Sequence, residues 1–450
     1  MKLFSEFPPV SAKEWEDKII KDLKIPSIDE LYWHTPENIS ICPFYHPEHL
    51  SSKPNPLFYH TDWDIVQYVP TAHHSEEEIN EHIIKSLNGG ASGIYLEFYQ
   101  KKNFSEIFNN ISLPHIYTNL QISFDALDLI SQLSDIYLSQ NEFTHQKNCY
   151  INIDPIYLLE KFGEWHHTQQ NDFEILHQLN HIPVNATLYK ESGANVVQEL
   201  AFTLAHLNEY LYYLEQKNQI KKYQYIHIHL SVGNSFFTEI AKLRALRILI
   251  HHLLNEYKHS AHIHIHAQTT LLNKSYLDIY NNIIRTTTEA ISAVLGGANS
   301  ISIFPFDFPF HKISDFSMRI ARNQLLIMKE ESYFNKTSDI SAGNFYLENY
   351  TQQLVNTAYQ KFLEIEKQNG LISLLEQNII QKEIEESFQQ QLQKYIENKE
   401  ILTGVNKYPN PKDSEVIKEF YSPYIPHHTP IIPLLPKRWA SYFEHQKQKV

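Results

Sequence analysis

From Trp63 onward the chain alternates short apolar or period-two runs with longer helical stretches, eight times over about 240 residues. The short runs are Asp64 to Val69, Gly93 to Phe98, Leu120 to Phe124, Tyr150 to Asp154, Val184 to Tyr189, Tyr225 to Leu230, His262 to Ala267 and Ser300 to Phe304. Segments such as EEEINEHIIKSL, ANVVQELAFTLAHLNEYLYYLEQ, TEIAKLRALRILIHHLLNEY and YNNIIRTTTEAISAVLGG stand between them and repeat their apolar residues at helical spacing. Parallel strands cannot be joined by a tight turn and need a crossover, usually a helix. Eight such units predict an α/β fold: a closed eight-stranded parallel (β/α) TIM barrel over residues 61–312. An open doubly wound sheet is the runner-up.

The flanks read differently. Ser11 precedes AKEWEDKIIKDL and Glu14 stands three positions on, the pattern of a capped helix. Residues 35–60 are rich in Pro, His and Ser and read as an extended arm without a core, so 1–60 is expected to be a helix plus an interface arm. Beyond the barrel, 313–450 is expected to hold helices to about residue 403 and then a Pro-rich tail, PYIPHHTPIIPLLPKRW. The Gln/Glu/Lys-rich run EQNIIQKEIEESFQQQLQKYIENKE reads as a solvated face. Such a tail suits lying across a surface, its own or a partner's.

A formal charge of -14 and a pI near 6.0 argue against nucleic-acid and anionic-membrane partners, which select for clustered basic residues. Cys42 and Cys149 are too few for a disulfide framework, and MKLFSEFPPV lacks the basic-then-apolar order of a secretory signal, so a reducing cytoplasmic setting is expected. Arginine is scarce and mostly replaced by lysine. Five of the six arginines, Arg244, Arg247, Arg285, Arg319 and Arg322, fall within about eighty residues. Retention there suggests sites that need a planar, multi-donor fork; structural salt bridges are the plainer account.

Histidine is frequent, and two sets alternate along strands: His227 with His229, and His262, His264 and His266. Alternation puts each set on one face. Three imidazoles could ligate zinc, yet neighbours on one strand face lie near 7 Å apart and no carboxylate or cysteine completes a site, so polar filling of the barrel interior is the favoured reading. Gly89 with Gly90 and Gly296 with Gly297 follow helices and read as caps, not phosphate loops. No nucleophile elbow, His-Glu-x-x-His pair or Cys-x-x-Cys site occurs.

Several stretches, in order through nearly the whole chain, resemble the methylmalonyl-CoA mutase family: LFSEFPPVSAKEWEDKIIKDL, ESGANVVQELAFTLA, FFTEIAKLRALR, HAQTT, YNNIIRTTTEAISAVLGGANSISIFPFD, DFSMRIARNQLLIMKEES and ILTGVNKYPNP. The resemblance implies an isomerase fold that holds acyl-CoA inside the barrel and clamps adenosylcobalamin between the barrel and a C-terminal domain bearing Asp-x-His-x-x-Gly. No such motif stands in this sequence. The chain stops at FEHQKQKV, about where that domain would begin, so no cobalamin-binding domain is expected.

Compared with the family's catalytic chain, Leu188, followed by Tyr189, stands where the acid-base histidine stands, and leucine cannot carry a proton. Pro54 falls in register with a radical-shielding tyrosine and Thr61 with an arginine. Phe304 and Phe308 replace an Asn and a Glu that hold the adenosyl ribose. His266 and Gln268 keep the corrin-facing His-x-Gln. The resemblance therefore implies the family's small subunit: no catalytic residue, a vestigial barrel mouth (Leu188, Tyr189, His266, Gln268, Phe304, Phe308), no cofactor or metal of its own, and adenosylcobalamin in the partner. That partner is the large catalytic subunit, bound as a heterodimer through the arm and N-terminal helix. The rival readings are a stand-alone acyl-CoA enzyme and a zinc-dependent hydrolase.

Overall fold

Ser11 opens helix α1 (Ala12–Leu23): its hydroxyl accepts the Glu14 N–H while the Glu14 carboxylate accepts the Ser11 N–H at 2.9 Å, so each end of the box satisfies the other. A short antiparallel pair follows, β1 (Trp33–His34) and β2 (Ser40–Ile41). In this computed structural model the described residues are 6–35, 37, 39–50, 57–58, 60–124, 130, 133, 136, 149–411 and 429–447. The arm is not without buried apolar groups, contrary to its composition. Ile39, Ile41 and Phe58 are buried, and Tyr45 packs on Tyr346 at 5.7 Å, because the arm folds back onto the chain's own barrel flank.

The barrel is as its alternation predicts. Its strands are β3 (Asp64–Val69), β4 (Gly93–Phe98), β5 (Tyr117–Ile122), β6 (Cys149–Asn152), β7 (Ile182–Asn185), β8 (Tyr225–Val232), β9 (His262–Thr269) and β10 (Ser300–Ser302). They form one eight-stranded sheet in the order β6-β5-β4-β3-β10-β9-β8-β7, parallel at every pairing. The seam between β6 and β7 is bridged by side chains: His181 lies 3.1 Å from Asn152 Oδ1, and the Asn185 N–H donates to Asp154 at 2.6 Å. Outward isoleucines such as Ile226, Ile228, Ile263, Ile265 and Ile301 bury against the helical layer, while the alternate residues face the lumen.

Around and after the strands run α2 (Glu76–Asn88), α3 (Phe104–Ile107), α4 (Pro155–Phe162), α5 (Gln169–Phe173), α6 (Thr187–Ser192), α7 (Val196–Gln216), α8 (Phe236–Glu256) and α9 (Asn281–Gly296). The flank adds α10 (Asp315–Leu326), α11 (Phe345–Lys367), α12 (Gly370–Glu376), α13 (Ile379–Ile396) and α14 (Ala440–Lys447). Among the described residues no helix is long and apolar enough to cross a membrane, and no separate cobalamin domain is built. The Gln/Glu/Lys-rich stretch forms α13, which buries Ile380, Ile384 and Phe388 on one side.

β3 and β4 match the expected bounds, and the other six strands differ at one or both limits, two of them for a visible local reason. The run Val184 to Tyr189 leaves the sheet at Asn185, whose carboxamide oxygen accepts both the N–H and the hydroxyl of Thr187, at 3.2 and 2.6 Å. That local turn ends the strand, so Leu188 and Tyr189 lie on α6, not on β7. At the other limit β5 begins at Tyr117, paired with Gly93, where a side chain on Gly93 would collide with the Tyr117 carbonyl at 2.7 Å. Gly89 and Gly297 do cap α2 and α9, and Gly297 has φ +87°.

Four of the five clustered arginines are structural forks, and Arg319 lies over the Phe316 ring. Arg247 donates to the Ile263 carbonyl at 3.3 Å, the Gly297 carbonyl at 2.6 Å and Asn299 Oδ1 at 2.7 Å, tying α8 to the ends of β9 and α9. Buried Arg244 pairs with Asp339 and with Glu348, Arg285 joins Asn282 to the Thr403 carbonyl, and Arg322 joins the Gly89 carbonyl to Gln67. A single ammonium on lysine cannot serve three acceptors spread like those of Arg247. Arg247→Lys is expected to cost about 1–3 kcal/mol, read as a lower urea midpoint at unchanged slope; an unchanged midpoint contradicts this assignment.

Candidate functional site

Register across β8 and β9 sets the histidines of the two strands side by side: Tyr225 with His262, His227 with His264, His229 with His266. His262 remains exposed at the sheet's entry edge, and the inner rows fill the lumen together with Tyr95, Tyr117 and Tyr150 from β4, β5 and β6. Tyr117 stacks on His264 at 5.0 Å and 8°, and Tyr150 on His227 at 4.2 Å and 28°. The Tyr117 hydroxyl is hydrogen-bonded to His227 Nε2 at 2.8 Å, and His266 bonds Ser300 and Ser302 at 2.8 and 3.0 Å. Two amide contacts continue the packing: Asn152 donates to Asn119 at 2.7 Å and Asn185 to Gln121 at 2.9 Å.

Burial holds these imidazoles neutral. It pushes His181 and His264 down to about 3 and His229 to about 4, and sets His227 and His266 well below the usual histidine range. Among the described residues no group of three or more His, Cys, Asp or Glu side chains is arranged to hold a metal ion. His227, His264 and His266 spend ring nitrogens on hydroxyls, and the rings spend their faces on one another, in keeping with polar filling of the interior.

Above this plug, at the C-terminal ends of the strands, the barrel mouth holds a cavity of about 1240 Å³. Leu188, Gln268, Phe304 and Phe308 all line it. Phe304 and Phe308 stack at 4.8 Å and 19°, and Tyr68 meets Phe304 edge-on at 5.0 Å. His266 sits lower, within the lumen. Tyr189 turns away from the mouth: its hydroxyl donates to Glu160 at 2.6 Å and lies 3.1 Å from His206 Nδ1, which joins a buried network around Asp154. Within that network burial raises Glu160 to about 8. Thr61 is exposed, and Pro54 lies outside the described residues.

Sequence reasoning missed the polar corner of the mouth. Glu97, on the otherwise apolar strand GIYLEF, pairs with Lys161 of α4 at 2.5 Å, with the Tyr157 hydroxyl at 3.3 Å. Burial pushes the Glu97 carboxyl up, but the Lys161 ammonium outweighs it and holds the group below its ordinary range. A lone acid in such a strand was the available signal.

The tail forms the roof. Backbone N–H groups of Leu434, Lys437 and Trp439 donate to the carbonyls of Glu160, Glu191 and Leu272 at 2.7, 2.7 and 3.0 Å, crossing α4, α6 and the loop after β9 in turn. Arg438 and Glu444 close the crossing with a buried pair at 2.7 Å, and Glu444 also accepts from Ser275 at 2.9 Å. Of the two surfaces open to a Pro-rich tail, residues 429–447 thus lie on the chain's own.

Comparison with known sequences decides the family. The methylmalonyl-CoA mutase profile matches residues 99–422, and the methylmalonyl-CoA mutase small subunit of Porphyromonas gingivalis is 32% identical over 446 residues, covering 91% of this chain and 71% of that protein. The chain belongs to the methylmalonyl-CoA mutase family. The methylmalonyl-CoA mutase of Rhizobium meliloti is 27% identical, covering 88% of this chain and 64% of that protein, and the mitochondrial human enzyme is 27% identical, covering 90% and 61%. The chain therefore spans about two thirds of the length of these relatives. The family match takes in the tyrosine and histidine rows from β5 to β9 and the phenylalanine pair, but stops before the tail that roofs the mouth.

Depressed imidazoles make stability depend on pH with a definite sign. The unfolded chain takes up a proton near pH 6.5 that folded His181 refuses until about 3, so this group's contribution is lost as pH falls below 6.5. His181→Gln keeps a donor for Asn152 and removes the titration. The stability gap between the two proteins is expected to move in the variant's favour by about 1.4 kcal/mol per pH unit below 6.5; a gap that stays constant between pH 6.5 and 4.5 contradicts the assignment.

Proposed function

We propose that this chain is the non-catalytic small subunit of a heterodimeric methylmalonyl-CoA mutase, supporting a large subunit that carries adenosylcobalamin and the isomerisation. One observation carries the reading: Leu188, Phe304 and Phe308, at the positions of the proton-transferring histidine and the two ribose-holding residues, meet in one mouth and offer it only apolar surface. A radical rearrangement of a thioester needs groups that orient charge and hold the cofactor sugar. None of these three side chains donates or accepts a hydrogen bond.

The lumen supports the same reading against a stand-alone acyl-CoA enzyme. The stacked Tyr117, Tyr150, His227 and His264 occupy the interior along which a long acyl-CoA chain would have to lie. Adenosylcobalamin does not fit the mouth either, because the strap of residues 434–442 lies over it and a stacked phenylalanine pair replaces the ribose contacts. No step is routed through the cofactor on this chain. The free, half-buried Cys42 and Cys149 suit a reducing cytoplasmic setting.

The N-terminal segment supplies the surface for a partner. Phe7, Val10, Trp15, Leu23 and Trp33 are exposed between 40% and 71%, an apolar concentration that suits a large, permanent interface. Trp33→Asp leaves the barrel core untouched. It is expected to weaken co-purification with a co-expressed large subunit by at least about tenfold, which corresponds to ~1.4 kcal/mol; undiminished co-purification counts against the arm as the interface.

The reading itself is tested by assaying purified chain for conversion of methylmalonyl-CoA to succinyl-CoA with added adenosylcobalamin, with and without the large subunit. No turnover by the chain alone and turnover by the pair are expected. Turnover by the chain alone overturns the proposal.

A further inference from the structure

A partner-supporting role leaves the mouth cavity unexplained. Its volume, about 1240 Å³, exceeds the roughly 300–1,000 Å³ of ordinary small-molecule sites. Phenylalanines and tyrosines supply 11 of its 34 lining residues, and the flat pair Phe304 and Phe308, stacked at 4.8 Å, offers a ring system something to lie against.

The cations around it are already spoken for. Lys161 is held by Glu97 at 2.5 Å, Lys102 by Glu76 at 3.9 Å, Arg438 by Glu444 at 2.7 Å, and Lys437 by Glu385. An anionic guest would have to break one of these pairs, and breaking a part-buried pair strands its acid. An uncharged guest breaks none.

Three polar side chains point to what such a guest carries. Ser123, Glu191 and Gln268, 4%, 5% and 5% exposed, line the cavity, and Ser123 Oγ, Glu191 Oε1 and Gln268 Oε1 lack a well-formed hydrogen bond, so each favours a guest that brings an N–H or O–H. An unmade bond at a buried polar atom is costly, and an N–H or O–H on a guest recovers it.

We propose that the roofed mouth of this barrel binds an uncharged, planar aromatic molecule of roughly two or three rings that stacks in the phenylalanine-lined cavity and donates a hydrogen bond to Gln268 Oε1. Leu434, Leu435 and Pro436 of the tail form part of its enclosure, so binding also fastens the tail across the mouth. This inference stands apart from the partner-supporting reading. It is tested on the chain alone, and its failure leaves that reading where it was.

The experiment titrates the full chain with N-phenyl-1-naphthylamine, an uncharged two-ring amine with one N–H that brightens on leaving water. A saturable, blue-shifted signal at one probe per chain is expected. Ala72→Trp, which pushes an indole into the cavity from a half-exposed position, is expected to weaken binding at least about tenfold, a loss of ~1.4 kcal/mol. Gln268→Leu, similar in size but without the acceptor, is expected to weaken it about fivefold. The sulfonated analogue 8-anilinonaphthalene-1-sulfonate is expected to bind at least about tenfold more weakly than the neutral probe, as the paired cations require. Far-ultraviolet circular dichroism checks that the variants fold, and Leu271→Trp fills the same cavity if Ala72→Trp does not. No saturable signal, equal affinity for the sulfonate, or indifference to both cavity-filling and Gln268→Leu overturns the proposal.

Discussion

Everything in this molecule is organised around the stack of neutral imidazoles and tyrosines that fills the barrel lumen. Parallel strands tilt around an axis and must fill the space they enclose. Branched aliphatic residues are the usual solution; here the work is done by His227, His264 and His266 against Tyr117 and Tyr150. Several imidazoles crowd together without mutual repulsion only while uncharged, and the same burial that brings them together depresses their basicity and keeps them so. Packing and protonation state therefore sustain each other.

From that plug follows the division of the barrel into two regions with different possibilities. Below the mouth stacked rings fill the lumen, and hydrogen bonds tie His266 to Ser300 and Ser302, Asn152 to Asn119 and Asn185 to Gln121. At the mouth Phe304, Phe308 and Leu188 wall a cavity that the tail borders. The fold of the methylmalonyl-CoA mutase family is kept, and its barrel interior is filled by stacked side chains. What remains free for function is surface: the exposed apolar residues of the N-terminal segment, and the enclosed aromatic mouth.

Much of this was legible in the sequence because it rests on periodicity. Alternation of apolar runs and helical segments located all eight strands, and the spacing of the histidines put them on one face, which is the lumen. Boundaries were less legible because side chains set them: Asn185 draws Thr187 into a turn and carries Leu188 onto a helix. The role of Tyr95, Tyr117 and Tyr150 was hidden, since a single tyrosine in each of three strands looks like ordinary strand composition until the closed barrel sets it against histidines. Glu97 and Lys161 were invisible as a pair, being separated by 64 residues. The arm deceived composition because its few buried groups, Ile39, Ile41 and Phe58, are scattered among prolines and histidines.

A closed interior is the claim on which the rest turns, and thioester binding measures it most directly. Equilibrium dialysis of the isolated chain against methylmalonyl-CoA should leave ligand equally distributed on both sides of the membrane, because the pantetheine arm has no lumen to enter. Retention of about one equivalent per chain at micromolar ligand would mean that the barrel opens to acyl-CoA after all.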